Sequence, residues 1–338
     1  MTMTYIDKTT RPGGTLRRRM ARLTTDLWLP AAVVVLTLAV ASVRPQILDA
    51  GNIAAMLKSF SVMAVMVLGL TWVIAAGKID VSFMQVAALA NMICAWSLAQ
   101  GWGWGAAIGA ALAAGLVVGV VNGLLVSAMR LPALIVTIST AGICASIAAA
   151  LGKGTVIRIE APGPLAPLLD PVLGGAVPPV VVPVLLIAAL AWVVQERLAM
   201  GRYIYAMAQN EAAVRSVGVP VVGLGVLLFA LSGVSAAAAG VLLAEHLASG
   251  QPMIGGPYLI NGLTVVLLGG MMVRVGKPNI LGTLTATLFI GVLFSGTALL
   301  GLPDYQRQII QGALLLIGLA VATLAARHHG AGGHADGA

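Results

Sequence analysis

The residues able to do chemistry in this chain are few, and most stand alone. A phosphate cradle needs Gly, four residues, Gly, Lys and then a hydroxyl. The nearest approach is GGMMVRVGKP, where five residues separate Gly270 from Gly276 and Pro278 holds the hydroxyl position. With no P-loop, any ATP hydrolysis the chain depends on belongs to another chain. Neither a Ser, His and acid constellation nor a zinc pattern stands out. Cys94 and Cys144 lie in apolar runs, offer no disulfide framework and no metal spacing, and read as packed thiols. His328, His329 and His334 crowd a Gly- and Ala-rich tail without an acid or cysteine at fixed spacing, which predicts disorder and no metal site. The chain is expected to be no enzyme and to need no cofactor.

Two polar features remain. Asp80, in GKIDVS, is a lone acid between apolar runs. Ionisable groups near a membrane interior mark paths, so Gly77, Asp80 and Ser82 are candidates for a translocation path or a helix break. The acid also suits an N-cap, because it stands just before the apolar run that opens at Phe83. The second feature is MGRYIYAMAQNEAAVRSVGVP, Met200 to Pro220, a polar island between long apolar runs. Asn210 can cap a short helix from Glu211 to Val217, whose acidic first residue suits a helix N-terminus. Gly218 stops it, and Pro220 opens the next run. A helix of two turns is too short to stand alone in water. The membrane surface, the protein itself or a partner must hold it. Its small faces, with Ala212, Ala213 and Val214 beside Glu211, Arg215 and Ser216, suit a knob fitting a protein groove better than a lipid-surface helix.

The elements that position these groups are apolar runs. Of 338 residues, 59% are hydrophobic and 9% charged, and the mean hydropathy is +1.01. That predicts an all-α, polytopic membrane protein of about ten transmembrane helices, since a helix of about 20 residues crosses the hydrocarbon core and no clean alternation favours a barrel. The expected spans are Leu27 to Val43, Ala55 to Ala76, Phe83 to Gln100, Trp104 to Met129, Ala133 to Leu151, Val180 to Val194, Val221 to Leu243, Leu259 to Val273, Ile280 to Leu300 and Ile309 to Ala325. A basic cytoplasmic segment, 1–26, precedes them, expected to be mobile or to lie on the anionic membrane face. A flexible tail, 326–338, follows. The first run lacks a small-residue cleavage site and reads as a retained helix.

With the N-terminus placed in the cytoplasm, fourteen of the 19 lysines and arginines fall inside, among them Arg17, Arg18, Arg19, Lys78, Arg130, Arg215, Arg274 and Lys277. That asymmetry puts both termini in the cytoplasm. Dispersed at membrane edges, these charges form no nucleic-acid face. The proline-dense stretch from Gly152 to Pro179 predicts an ordered outer cap. Gly115, Gly119 and Gly123, like Gly105 and Gly109, recur every four residues and predict close helix approach. Glu245 and His246 read as a solvated outer helix end. A short echo joins GLTWVIAAGK at Gly69 to GLTVVLLGG at Gly262.

The polar island resembles the GRYIYAxGxNExAAxxxGI signature of ribose-type permease subunits of ATP-binding-cassette importers. LGLTWVIAAGKIDVS from Leu68, NGLLVSAMRLPALIVTISTAGI from Asn122, SGVSAAAAGVLLAEHLASGQPMIGGPYLINGLTVVLLGG from Ser232 and GKPNILGTL from Gly276 extend the resemblance over about Ala55 to Ala325 in collinear order. It implies a type II-like importer permease of the bacterial inner membrane that moves a monosaccharide or related small polar compound inward. Implied partners are cytoplasmic ATP-binding subunits, an extracytoplasmic sugar-binding protein and a second permease copy or paralogue. Within 200–219, Asn210, Glu211, Ala212, Ala213, Arg215 and Gly218 fall on the family's coupling helix, which sits in a groove of the ATPase. The chain departs from the family where Lys78 replaces a glycine of GGIDLSVGS, where SFMQ from Ser82 replaces SVGS, and where GGMMVRVGKPN replaces GGTSLSGGKG. A gradient-driven secondary transporter is the alternative reading, with Asp80 as its one tempting ion-coupling acid.

Overall fold

The computed structural model describes residues 13–170, 175–273, 276–303, 305–310, 312–314 and 316–317, with side chains from Leu27 onward. Apolar runs become helices because in a membrane every backbone polar group must be satisfied within its own segment. In chain order these are α1 (Gly13–Val43), α2 (Ala50–Ala75), α3 (Phe83–Ala99), α4 (Trp104–Gly123), α5 (Ala133–Leu151), the short α6 (Ala166–Leu169), α7 (Val181–Arg197), α8 (Ala199–Ser216), α9 (Val221–Leu247), α10 (Tyr258–Gly269) and α11 (Ile280–Leu299). A π-helical turn, Leu124–Ala128, extends α4.

Nine of the ten expected runs coincide with helices, but they are not equivalent. Five, namely α2, α4 with its π turn, α5, α9 and α11, are long and apolar enough to cross a membrane. A sixth arises if α7 and α8, bent by 67°, are taken as one span. The stretch Leu27–Val43, α3 and α10 are shorter apolar helices. The run expected from Ile309 lies largely outside the described residues, as do Arg274 and the three tail histidines. The N-terminal segment is in part helical, because α1 begins at Gly13, where Leu, Arg, Met and Ala are good helix formers.

The centre of the bundle is α2 and α9. About two thirds of α2's apolar window is buried, against 28% for α4 and α5. Glycine lets α4 approach α9 closely: a Cβ on Gly119 or Gly123 would run into the α9 backbone at Phe229 or Val226. Gly115 meets Gly233 in the same seam. Gly105 and Gly109, by contrast, face open space. Their spacing predicts an approach that no described helix makes.

The end of the bundle bearing α8 is called lower here, and the opposite end upper. At the upper end the proline-rich stretch forms a cap. Two-residue strands, β1 (Ile157–Arg158) and β2 (Ser249–Gly250), pair antiparallel across it. Glu245 accepts a 2.7 Å hydrogen bond from the Gly163 amide. The acid thus anchors the cap, which corrects the expectation of a solvated helix end for Glu245, while His246 is exposed as expected.

Candidate functional site

The polar island folds as a bent helix. Its first half, from Ala199, was not expected as a helix; Arg202 and Tyr203 are exposed, while Ile204, Tyr205 and Met207 are buried. Gly201 allows the turn out of α7, since a Cβ there would strike the Gln195 backbone. At Asn210 the backbone leaves helical values, with φ −157° and ψ 94°, and the chain restarts as a second helix. Asn210 Oδ1 accepts from the Ala213 amide at 3.0 Å, which is the cap its position predicts. Gly218 closes the helix with φ +86°, a left-handed conformation that glycine adopts without strain.

The protein itself holds this two-turn helix. Val214 packs with Met207 and Val221. Glu211 Oε2 accepts from Lys78 Nζ at 3.0 Å, and Arg215 sits 3.4 Å from the other carboxylate oxygen. The hydrogen bond from Lys78, with the charges of Lys78 and Arg215, keeps the Glu211 carboxyl below its usual range. Ala212, Ala213, Arg215 and Gly218 remain exposed. One face of the helix is fixed to the bundle, and the other is open.

Lys78 belongs to the connection between α2 and α3. Gly77, with φ +77°, turns the chain there, and a Cβ on it would lie 3.1 Å from Ala208 Cα in α8. Asp80 is buried. Its Oδ1 accepts from the Ser82 amide at 2.8 Å and the Ser82 hydroxyl at 2.6 Å, and its Oδ2 accepts from the Ser232 hydroxyl at 2.7 Å. Asn122 in turn donates to Ser82 Oγ at 2.9 Å. The Val81 amide donates to Thr137 Oγ1 at 3.1 Å. Asp80 therefore satisfies donors freed at the start of α3 through a turn two residues long, and it ties the break to α4 and α9. Neither Gly77, Asp80 nor Ser82 lines one of the described cavities.

A second connection, between α10 and α11, has the same grammar. Gly276 turns with φ +79°, Lys277 follows, and Asn279 caps α11 by accepting from the Gly282 amide at 2.8 Å. Asn279 Nδ2 also donates to Met272 O at 2.8 Å and Lys277 O at 3.1 Å. Gln195 at the foot of α7 donates to Pro278 O at 3.1 Å and accepts from the Ile280 amide at 2.9 Å. Tyr205 of α8 donates to the same Pro278 carbonyl at 3.0 Å. Lys277 Nζ lies 5.7 Å above the Tyr205 ring, within cation–π range. Thus α8 touches both connections. Gln195, Tyr205, Lys277 and Asn279 were not read from the sequence as site residues. The GLT echo was the signal that could have led to them: GKID and GKPN follow its two copies, the second displaced by six extra residues.

Residues 52–319 match the family described as the permease component of branched-chain amino acid transport systems. The ribose import permease protein RbsC of Haemophilus influenzae is 30% identical over 289 residues, covering 85% of this chain and 89% of the relative. That of Bacillus subtilis is 30% identical over 283 residues, covering 84% and 88%. The autoinducer 2 import system permease protein LsrD of Photorhabdus laumondii is 29% identical over 310 residues, covering 89% and 92%. No solved structure matches the chain significantly. With five or six helices among the described residues long and apolar enough to cross a membrane and a match over most of its length, the chain is a multi-pass membrane protein that belongs to the ribose-type family of ATP-binding-cassette transporter permeases.

Proposed function

We propose that the chain is the inner-membrane permease subunit of an importer that carries a monosaccharide or related small polar compound into the cytoplasm, powered by a separate ATPase subunit. The observation that carries this reading is the two-sided coupling helix. Its buried side is rooted in the bundle through Val214 and the Lys78–Glu211 pair, and its other side, Ala212, Ala213 and Arg215, is an open knob. The ribose import named for the relatives in Haemophilus influenzae and Bacillus subtilis supports the class of cargo.

The lower end is cytoplasmic on charge, since Lys78, Arg130, Arg197, Arg202, Arg215 and Lys277 collect there. An ATPase that moves α8 would push on two levers together. Through Lys78 and Gly77 it reaches the start of α3; through Tyr205 it reaches the start of α11. The permease is then a two-state element whose equilibrium its partners bias. About ten spans with both termini inside, an extracytoplasmic binding protein and a second permease copy complete the arrangement. The unfilled Gly105 and Gly109 surface and the lightly buried α4 and α5 offer area for that copy. Asp80, satisfied by three hydrogen bonds from serine, serves as a helix-break residue.

The test is uptake of labelled pentoses, hexoses and polyols by vesicles holding the whole system. Loss of uptake with a hydrolysis-dead ATPase, and persistence when an ionophore collapses ion gradients, is the expected result. The reverse pattern would make the chain a gradient-driven carrier.

A further inference from the structure

A cavity of about 610 Å³ opens at the upper end between α2, α10 and α11, and its depth follows from where two helices begin. Asp80, just before α3, bonds Ser232. Ser232 is eleven residues into α9, so at 1.5 Å per residue α3 starts about 16 Å above the lower end. The chain after β2 then descends along α3. Gly250 lies against Ala95 and Met92, and Gly255 against the Met84 backbone. Over those positions α3 drops by roughly 12 Å. At that level α10 begins, and Gly262 in its second turn abuts the Phe83 ring. So α3 rises and α10 falls from one level of the bundle, and residues 251–257 are irregular backbone above it, with Met253, Gly256 and Pro257 exposed.

Non-helical backbone at membrane depth is tolerated where it is buried in protein or lines a water-filled space. Interrupted helices in transporters mark the places where cargo is held. Here Gln251 and Pro257 of the irregular segment line the cavity. Its walls mix the aromatic side chains of Phe60, Tyr258 and Phe294 with Asn261 and Thr287. A second cavity of about 400 Å³ shares Pro257, Asn261 and Phe294 with the first, so Asn261 stands on the wall common to both. Amides and hydroxyls placed in a membrane helix are costly and point to polar pathways. Gln251 donates to Ser249 and Thr287 to Thr283 O, which leaves a second donor and an acceptor on the Gln251 amide and acceptor lone pairs on the Thr287 hydroxyl. Binding clefts for small ligands run to about 300–1,000 Å³. Aromatic faces beside amides suit a ring with hydroxyls on its edge and C–H groups on its face.

We infer that this cavity is a binding station for the transported compound inside the permease, built for a monosaccharide, with Asn261 and Gln251 as hydrogen-bonding residues and Tyr258 and Phe294 as the aromatic surfaces. The inference rests on the import function proposed above. Gly291 supplies a clean probe. It lines the cavity, and a Cβ there meets only Met56 Cγ, at 3.6 Å, so a larger side chain can be placed at the cavity wall without its Cβ striking backbone.

The experiment uses the assembled transporter in proteoliposomes with labelled D-ribose, D-xylose, L-arabinose and D-galactose. Gly291→Leu is expected to cut uptake of the transported sugar at least tenfold, and Gly291→Ala to stay within twofold of wild type. Asn261→Leu is expected to fall at least tenfold. Co-purification with the ATPase subunit checks that each variant is folded. Gly291→Cys is expected to react with a membrane-impermeant thiol reagent from the upper side, more slowly in the presence of the sugar; native Cys94 and Cys144 are buried. Wild-type uptake that Gly291→Leu leaves intact, or a Gly291→Cys thiol that the sugar does not protect, overturns the inference while leaving the import function standing. No uptake of any of the four sugars by wild type overturns the monosaccharide inference, and the import function falls with it only if the labelled polyols also stay outside.

Discussion

The two connections beneath the bundle, Gly77 to Ser82 and Gly276 to Gly282, solve one problem with different chemistry. Each turns on a glycine with positive φ, sends a lysine toward α8 and then starts a helix with an Asp or Asn that gathers loose amides. The first is gripped by charge, Lys78 to Glu211, across a third-exposed pair. The second is gripped by neutral groups, with Gln195 and Tyr205 closing on Pro278 and Ile280 in the interior. A neutral clamp in a buried place is rigid, because an unmade bond there is expensive. An ion pair at the water edge is adjustable, because solvent competes for both partners. The difference teaches which lever is a fixed pivot and which can yield when α8 moves.

The largest effect is expected at Asp80. Asp80→Leu leaves the Ser82 amide and the Ser82 and Ser232 hydroxyls without their acceptor, at about 1–3 kcal/mol for each buried group left unsatisfied, so the melting temperature of the purified permease falls by several degrees. Asp80→Asn should recover part of that loss, since one amide oxygen still accepts. Next is Gln195→Leu at the buried clamp, which strands the Ile280 amide at about the same cost for one group, while Tyr205 still donates to Pro278 O.

Much of the bundle was legible in the sequence. Nine helices follow their apolar runs, because an apolar segment must satisfy its backbone polar groups internally, although only five of them have the length and composition of a span. The Asn210 cap and the Gly218 stop were legible for a similar reason: each answers a local backbone need. The first half of α8 was not. Arg202, Tyr203 and Tyr205 break the apolar pattern, and the turn at Gly201 depends on Gln195, which no local spacing reveals. The depth at which α3 and α10 begin was hidden too, because an apolar run records composition and says nothing of how far up a neighbour it starts. Glu245 read as solvated because its partner, Gly163, lies 82 residues away.

Smaller effects sharpen the comparison at the charged lever. Lys78→Ala should change stability by only about 0–1 kcal/mol, the usual worth of an exposed pair, yet lower coupled uptake several-fold. The exchange Lys78→Glu with Glu211→Lys should restore part of it. Uptake unaffected by Lys78→Ala would assign the transmission to the neutral clamp alone. The smallest effect is with pH. Glu211 is held below the 4.5 of a free glutamate, so the bridge's contribution is fully present above that value and is lost only as pH falls through the lower folded one. The melting difference between wild type and Glu211→Gln should therefore stay constant from pH 7 to 5 and shrink below about 4.5.

The central claim is that the open face of the second α8 helix is where an ATPase docks. The most direct measurement is co-purification of the ATPase subunit with an Ala213→Trp permease, alongside ATP-driven uptake. Ala213 is exposed, so the bulk should leave the permease's expression and melting unchanged. The account predicts loss of the ATPase and of uptake together; an Ala213→Trp permease that retains both would contradict it.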